Sequence, residues 1–207
     1  MNETRSPATT PGLPTAVLYA EHRVIERVLG VLEILAQRAR SGDGFAAADA
    51  RDALAFVREF ADACHHGKEE VRLFPAMEAM GLPREVGPTA VMRHEHDEGR
   101  RLVRGAGEAL DATPPDLAAF ARHAASFVLL LRDHIAKEDQ VLFPMAAQML
   151  PPSRLEALRA EFERFDREDV GPERHAALLA IAERLGTAYG VAARTTAPPS
   201  GHACAGC

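Results

Sequence analysis

The chain has 207 residues and a formal net charge of −6, and 47% of its residues are apolar and 26% charged, as expected for one globular domain with appended segments. The acidic balance, and the lack of any Lys- and Arg-rich run with interleaved aromatics, argue against a nucleic-acid-binding surface. The sequence has neither a signal-peptide pattern nor an apolar stretch of the roughly 18 residues that suggest a membrane span, so we expect a cytoplasmic protein.

The first half of the chain is predicted to contain a short arm and two helices. Residues 1–14 are polar and rich in Pro and Thr, which predicts a flexible N-terminal arm. Over residues 15–40, apolar side chains and His22 recur at spacings of three and four, the pattern of an amphipathic helix. A second helix is predicted over residues 46–73. Pro75 should end or kink this helix, because proline removes a backbone donor.

Two more helices are predicted before residue 150. After a turn rich in Gly and Pro, a third helix carries His96, and a Pro-Pro break separates it from a fourth helix over residues 116–147, which carries His134. Four amphipathic helices predict an all-α fold. We expect a four-helix bundle over residues 15–150.

The remaining residues are predicted to form a helical extension and a tail. Residues 151–190 hold two helical patterns without metal-ligand spacing, and we expect them to pack on the bundle as a cap. Residues 191–207 are predicted to be disordered. This tail carries Cys204 and Cys207 at the C-x2-C spacing, which can hold a soft metal or cycle as a dithiol. We favour a functionless or accessory tail over either role.

A repeated motif carries the candidate site. His-x3-Glu occurs twice, each copy is followed by Leu-Phe-Pro, and each is preceded on another helix by a Glu-His pair. Because positions four apart share a face of an α-helix, each copy can direct an imidazole and a carboxylate at one point. The six candidate metal ligands are His22, His65, Glu69, His96, His134 and Glu138.

Helix geometry distinguishes these six from neighbouring polar residues. His94 and His96 are roughly 200° apart around an α-helix, so only one can face the bundle axis, and His96 shares its face with apolar residues. The position relative to Leu-Phe-Pro favours His65 over His66 as a ligand. The side chains expected to lie beside the ligands and support them are His66, Glu70 and Asp139. Those expected to be surface or structural residues are His94, His123, His175, Glu26 and Cys64.

The donor set indicates the metal. Four imidazoles and two carboxylates form a mixed nitrogen and oxygen set without thiolate, which favours iron over a closed structural zinc site. Burying the two carboxylates without a cation would cost several kcal/mol for each uncompensated charge. Carboxylates from opposite helices can bridge two ions roughly 3.5 to 4 Å apart. We therefore expect two non-haem iron ions (Fe2+/Fe3+), oxo- or hydroxo-bridged, with open positions for a small ligand.

The ordered motifs resemble the ligand pattern of hemerythrin-like domains, also called HHE cation-binding domains, over residues 15–150. This resemblance implies an up-down bundle with a non-haem di-iron centre. Members of the family bind dioxygen, sense oxygen or nitric oxide, protect against peroxide, or help repair iron-sulfur clusters.

The chain departs from the oxygen-carrying hemerythrins in two places. Their fourth helix has His-x4-Asp, a spacing that Asp139 could provide, but the repeat favours Glu138. Their third helix supplies two His four residues apart, whereas Arg100 stands four residues after His96 here. A fifth His is therefore expected to be missing. This favours reaction with oxygen, peroxide or nitric oxide over reversible oxygen carriage.

Several functions are consistent with such a centre. The first hypothesis is a di-iron protein that binds or senses dioxygen, nitric oxide or a related small oxidant. The alternative is a di-iron enzyme that consumes peroxide or oxygen, or a donor of iron for iron-sulfur cluster repair. A helical interaction protein with a purely structural site is the third. The expected partner is a small diatomic or peroxide ligand. Tyr19, one turn before His22, is a candidate extra ligand or hydrogen-bond donor, although a core tyrosine is favoured.

Overall fold

A computed structural model describes residues 14–193, and this part of the chain contains six helices and no strands. Three helices are regular α-helices: α1 spans Pro14–Ser41, α3 spans Pro88–Asp111 and α6 spans Pro172–Ala188. The other three helices combine α-helical and π-helical segments. Helix α2 is α-helical over Ala47–Phe56 and Phe74–Ala79, and π-helical over Val57–His66 and Glu69–Leu73. Helix α4 is α-helical over Leu117–Lys137 and Phe143–Met149, and π-helical over Glu138–Leu142; helix α5 is α-helical over Pro152–Phe165 and π-helical over Asp166–Val170.

Helices α1 to α4 form the four-helix bundle that the sequence predicts. Helix α4 packs along both α1 and α3, while α2 packs against α1 and α3 on the other side. The two C-terminal helices cover the bundle: α5 contacts α1 and α2, and α6 lies along α1 and α2. The predicted all-α architecture with additional C-terminal helices is confirmed.

The candidate ligands form a polar layer between two buried apolar clusters. On every helix of the bundle, an apolar residue of one cluster precedes the ligands and a residue of the other cluster follows them. In α1, for example, His22 lies between Leu18 and Ile25, all three with side chains excluded from solvent. The apolar clusters therefore shield the polar layer from water at both ends of the bundle.

Helix α2 does not end at Pro75, so of the two predicted effects of this proline, an end or a kink, the end is wrong. The helix continues to Ala79, and the segment Glu69–Leu73 just before the proline is π-helical. Here the backbone N–H of Phe74 donates to the carbonyl oxygen of Glu69, five residues earlier. A proline in a helix removes a donor and crowds the carbonyl four residues before it. The wider turn accommodates the proline without ending the helix.

The second copy of the motif has the same irregularity. Glu138–Leu142 is π-helical, and the N–H of Phe143 donates to the carbonyl oxygen of Glu138. Single π-helical turns inside α-helices are often found at functional sites. The two Leu-Phe-Pro motifs thus produce matched π turns, each beginning at a candidate ligand.

The predicted helix ends follow from local chemistry. The side chain of Asp116 accepts a hydrogen bond from the N–H of Ala119 at 2.8 Å and caps the start of α4. Gly171 has a φ of 82°, a left-handed conformation that favours glycine, and it separates α5 from α6. The predicted arm and the cysteines of the tail lie outside the described residues. Within residues 14–193, none of the helices has the length and apolar character needed to cross a bilayer.

Candidate metal centre

The six predicted ligands come together in the polar layer, and each is at most 1% exposed. Their donor atoms belong to two clusters, and within each cluster the atoms lie within 4.8 Å of one another. The first cluster contains His22, His65, Glu69 and Glu138, and the second contains His66, Glu69, His96 and His134. Glu69 is common to both clusters, so the two groups form one continuous centre.

Each carboxylate of the centre lies between imidazoles of the two clusters. The two oxygens of Glu69 lie 3.6 Å from Nε2 of His65 and 3.6 Å from Nε2 of His96. Oε2 of Glu138 lies 3.2 Å from Nε2 of His22 and 3.3 Å from Nε2 of His134. Both carboxylates therefore occupy positions from which they could bridge two ions.

The hydrogen-bonding pattern fits a cation at this place. Among the described residues, several fully buried polar atoms of the centre have no hydrogen-bond partner; they are Nε2 of His22, Nε2 of His65, and both carboxylate oxygens of Glu69 and of Glu138. Buried polar atoms in native proteins are almost always paired. Since imidazole nitrogens and carboxylate oxygens are common metal ligands, the residues present suit a bound metal ion, with iron favoured by the donor set.

Four imidazoles of the centre are oriented by the same three-residue arrangement. In each case Nδ1 contacts a carboxylate at 2.6 to 3.0 Å, and that carboxylate is bound in turn by a basic side chain. The four sets are His22, Asp139 and Arg23; His65, Glu21 and Lys68; His96, Glu70 and Arg100; and His134, Glu95 and Lys137. Such carboxylates fix the orientation of a metal-binding imidazole and raise its basicity. The Nε2 atoms are thereby directed toward the centre.

The pKa shifts reflect the unbalanced charges of the buried layer. Burial raises the pKa of Glu69 well above its usual range, and the charge of Glu138 raises it further. Burial likewise lowers the pKa of His65 and His96 well below the ordinary value, so both imidazoles are neutral at pH 7, as a metal ligand must be. For Glu138, burial favours the neutral form, but the neighbouring imidazoles outweigh it and hold its pKa well below the usual range.

The structure places His66 in the centre itself, although the sequence predicts only a supporting role. The π-helical Val57–His66 has more residues per turn than an α-helix, so successive side chains are separated by a smaller angle. His65 and His66 can therefore both face the interior. The comparison of the two copies gave no hint, because Ile135 stands at the equivalent position of the second copy. The sequence did contain one indication that His66 faces the interior, namely Asp62, which lies four residues before it on the same helix face and can orient its imidazole.

The other polar residues singled out from the sequence lie where they were expected. Glu70 and Asp139 support ligand imidazoles. His94 is exposed, His123 lies against Gly105, and the ring of His175 is 5.5 Å from that of Phe60. None of these three imidazoles belongs to either cluster of the described residues.

Asp166 of the C-terminal extension takes part in a buried ion pair that the sequence did not indicate. Lys68 is fully buried, and its Nζ lies 2.8 Å from Asp166 of α5 and also binds Glu21. Cys64 lies beside this pair, with Sγ 3.4 Å from Asp166, and burial raises the pKa of its thiol to about 12. Because the lysine ammonium binds both carboxylates, we assign this group as an ion-pair network rather than a second metal site. It connects α5 to the support of His65.

The inner end of a surface cleft reaches the metal centre. Its volume is about 700 Å³, and it is bordered by α2, α3 and α4. His66 and His96 lie at its inner part, and Phe127 and Leu131 provide an apolar wall. The arginines that border the cleft are Arg58, Arg100 and Arg104. The cleft is large enough for diatomic molecules or peroxide to approach the second cluster.

Tyr19 is held in place by a backbone hydrogen bond and by ring packing. Its hydroxyl donates to the backbone carbonyl oxygen of Asp139 at 2.7 Å, and its ring packs edge-on against Phe143. Burial, together with the charge of Asp139, raises the pKa of the phenol to about 12.

We predict that Tyr19→Phe leaves the visible absorption spectrum of the iron-loaded protein unchanged. Loss of the hydrogen bond should lower the free energy of unfolding by about 1 kcal/mol, measured by denaturant titration. Loss of an absorption band that the unsubstituted protein shows would instead identify the phenolate as a ligand. Tyr189→Phe, at a phenol that directly follows α6 and donates to Asp49, is the matched control.

The fold and the centre together define a class: a helical-bundle protein with a buried histidine and carboxylate centre suited to metal cations. The chain belongs to the hemerythrin HHE cation-binding domain family, whose model matches residues 13–146. The family expected from the motifs is confirmed.

Several curated proteins are similar to this chain over part of its length. The chain is 26% identical over 166 residues to uncharacterized proteins of Mycobacterium tuberculosis (strain ATCC 25618 / H37Rv) and Mycobacterium bovis (strain ATCC BAA-935 / AF2122/97), covering 76% of this chain and 64% of each relative. The chain thus spans less than two thirds of their length. It is also 38% identical over 88 residues to the iron-sulfur cluster repair protein YtfE of Dickeya chrysanthemi (strain Ech1591), 40% of each chain. No solved structure matches the chain significantly.

Proposed function

We propose that the protein is a non-haem di-iron protein that binds or senses dioxygen, nitric oxide or a related small oxidant. One observation carries the proposal: two buried clusters of imidazoles share Glu69, and the carboxylate oxygens between them have no hydrogen-bond partner. A pair of cations between the two clusters would give each of these atoms a partner. Two ions linked by carboxylates from opposite helices are the usual design of such bundle sites.

In this proposal the ligands divide between the two ions. His22 and His65 would hold one ion and His96 and His134 would hold the other, with Glu69 and Glu138 placed between them. The proposed cofactor is a pair of iron ions with an oxo or hydroxo bridge. When bound, iron supplies redox chemistry and open coordination positions for a small ligand.

The residues of the chain itself would position the ions and control access to them. The carboxylate and basic side chains behind the imidazoles hold each ring in one orientation. The apolar clusters on either side exclude water, and the cleft beside His66 and His96 admits small molecules. We further propose that residues 15–150 form the metal-binding domain, and that residues 151–190 support it through Asp166. A cytoplasmic location stays a prediction of the sequence.

A second candidate function is supported by one of the relatives. Of the alternatives that the sequence suggests, an enzyme that consumes peroxide or oxygen or a donor of iron for iron-sulfur cluster repair, the similarity to an iron-sulfur cluster repair protein supports the second. The similarity covers only 40% of each chain, so the repair activity is an alternative rather than the main proposal.

Stopped-flow spectroscopy of the reduced, iron-loaded protein tests the main proposal. Mixing with dioxygen or nitric oxide is expected to change the absorption spectrum of the iron centre. If the protein is a binder or sensor, removal of the gas should restore the spectrum of the reduced protein. Irreversible oxidation with continuing consumption of peroxide would favour the enzyme. Zinc-loaded protein, which has no redox chemistry, is the control. An iron-loaded protein that responds to none of these molecules would contradict both ligand binding and the consumption of peroxide or oxygen.

A further inference from the structure

We propose that the surface cleft bordered by α2, α3 and α4 is a binding site for a small organic anion with an apolar body. The anionic group would bind Arg58 and Arg104, and the apolar body would lie against Phe127 and Leu131. Such a site goes beyond the proposed function, because these side chains are not part of the metal centre.

The size and lining of the cleft suit an organic molecule. Its volume of about 700 Å³ lies within the range of roughly 300–1,000 Å³ found for small-molecule sites. A diatomic molecule is about as large as a water molecule, which occupies roughly 30 Å³ in the liquid. Four apolar side chains line the cleft, and each is at most 4% exposed; they are Val57, Val103, Phe127 and Leu131. The cleft therefore has far more space and apolar surface than passage of a diatomic gas requires.

Two glycines inside α3 keep the cleft open. Gly99 and Gly107 both line it, and a Cβ atom added there would meet its nearest neighbour only at 3.5 Å and 3.8 Å, in ordinary van der Waals contact. Gly105 differs, because a Cβ there would lie 2.9 Å from the ring of His123. Glycine in a helix interior is destabilising relative to alanine. Since packing does not require glycine at positions 99 and 107, their effect is to leave space in the cleft.

Two arginines of the cleft are available for an anionic group. Arg58 and Arg104 are exposed, and within residues 14–193 neither has a hydrogen-bonded or ion-pair partner. Nη1 of Arg58 lies 3.8 Å from the position that a Cβ of Gly107 would occupy, so this guanidinium extends from α2 to α3. Arg104 lies three residues before Gly107 on α3, and residues three apart are neighbours on a helix surface. Guanidinium groups bind carboxylate and phosphate groups through paired hydrogen bonds.

The acidic residues of the cleft leave this positive charge in place. Of the five carboxylates in the lining, four are bound by basic side chains; the pairs are Asp62 and Asp97 with Arg100, Glu95 with Lys137, and Asp111 with Arg51. Glu108 is the one lining carboxylate without such a partner in the described part of the chain. Two unpaired guanidinium groups outweigh one unpaired carboxylate, so the charge of the cleft favours an anion over a cation.

Octanoate is a suitable probe, because it joins a single carboxylate to an apolar chain. Isothermal titration calorimetry of the protein as purified should show saturable binding of one octanoate per chain. Octanamide, which has the same chain without the charge, should bind at least about 10-fold more weakly. Equal affinity for the two molecules would show that the cleft does not select an anion, and the proposal would be wrong.

A pair of matched double variants locates the binding site. Replacing both Arg58 and Arg104 with Gln should weaken octanoate binding at least about 10-fold. Replacing both Arg40 and Arg122 with Gln removes the same charge from exposed arginines outside the cleft, and this control should bind octanoate as the unsubstituted protein does.

Gly107→Leu tests the space in the cleft without changing its charge. Leucine is a better helix former than glycine, so the variant should fold, which circular dichroism checks. Its side chain should occupy the cleft and weaken octanoate binding at least about 10-fold. Absence of saturable octanoate binding to the unsubstituted protein would overturn the proposal. Affinity that is unchanged in Gly107→Leu, or that falls equally in the two double variants, would do the same.

Discussion

Glu69→Gln is expected to empty both ion positions. Glu69 is the one acidic residue common to the two clusters, and its oxygens face imidazoles of both. A neutral amide removes one negative charge and one strong oxygen ligand from each ion at the same time. Metal analysis of the purified variant should therefore give far less than one iron per chain, where the unsubstituted protein gives two.

The same substitution should stabilise the metal-free protein. The pKa of Glu69 is raised well above the usual value of 4.5, so its ionised form is disfavoured in the fold, and the carboxylate costs stability at every pH above 4.5. Glutamine has nearly the same shape and no charge. Removing a carboxyl group whose ionisation opposes folding should raise the free energy of unfolding of the metal-free protein by about 1–3 kcal/mol at pH 7.

The two effects have opposite signs, and this makes the experiment specific. A merely structural role for Glu69 would make the variant less stable in both forms and leave the iron content unchanged. Glu156→Gln, at an exposed residue on α5, is the control. It should leave the iron content unchanged and change the free energy of unfolding by no more than about 0.5 kcal/mol. Retention of two irons per chain by Glu69→Gln would refute the ligand assignment.

Removal of the metal is expected to cause a large loss of thermal stability. A ligand that binds only the folded state adds about 4 kcal/mol when its free concentration is 1,000 times its dissociation constant. For a chain of this size this corresponds to roughly 8–16 °C in Tm. Differential scanning calorimetry before and after chelation measures the change, and readdition of iron should restore it. Equal Tm values for the two forms would contradict a metal bound in the core.

The metal-dependent part of the stability should disappear as the pH falls. Bound imidazoles are neutral, whereas in the unfolded chain they take up protons below a pKa of about 6.5, so the unfolded state binds more protons and acid favours it. In the metal-free protein Glu138 also makes acid unfavourable for the fold, because the neighbouring imidazoles hold its pKa below the usual value against the opposing effect of burial, and its contribution is lost as pH falls below 4.5. We expect iron release from about pH 6.5 downward, measured by dialysis and metal analysis.

The sequence was sufficient for the fold class and for the main side chains of the centre. Amphipathic periodicity identified the four bundle helices, because burial of one helix face requires apolar residues at spacings of three and four. The duplicated His-x3-Glu motif predicted a shared site, because positions four apart share a helix face. His65 and His134 could therefore be recognised from the sequence as equivalent residues of the two copies.

Tertiary structure decided what local spacing cannot express. The π-helical turns change the angle between successive residues, so they bring His66 inward and let α2 continue through Pro75. The pairings of Asp62 with Arg100 and of Lys68 with Asp166 join distant parts of the chain. A sequence fixes which side chains share a helix face, since that depends on near neighbours. Which side chains meet between helices depends on helix rotation and packing, which only the folded chain determines.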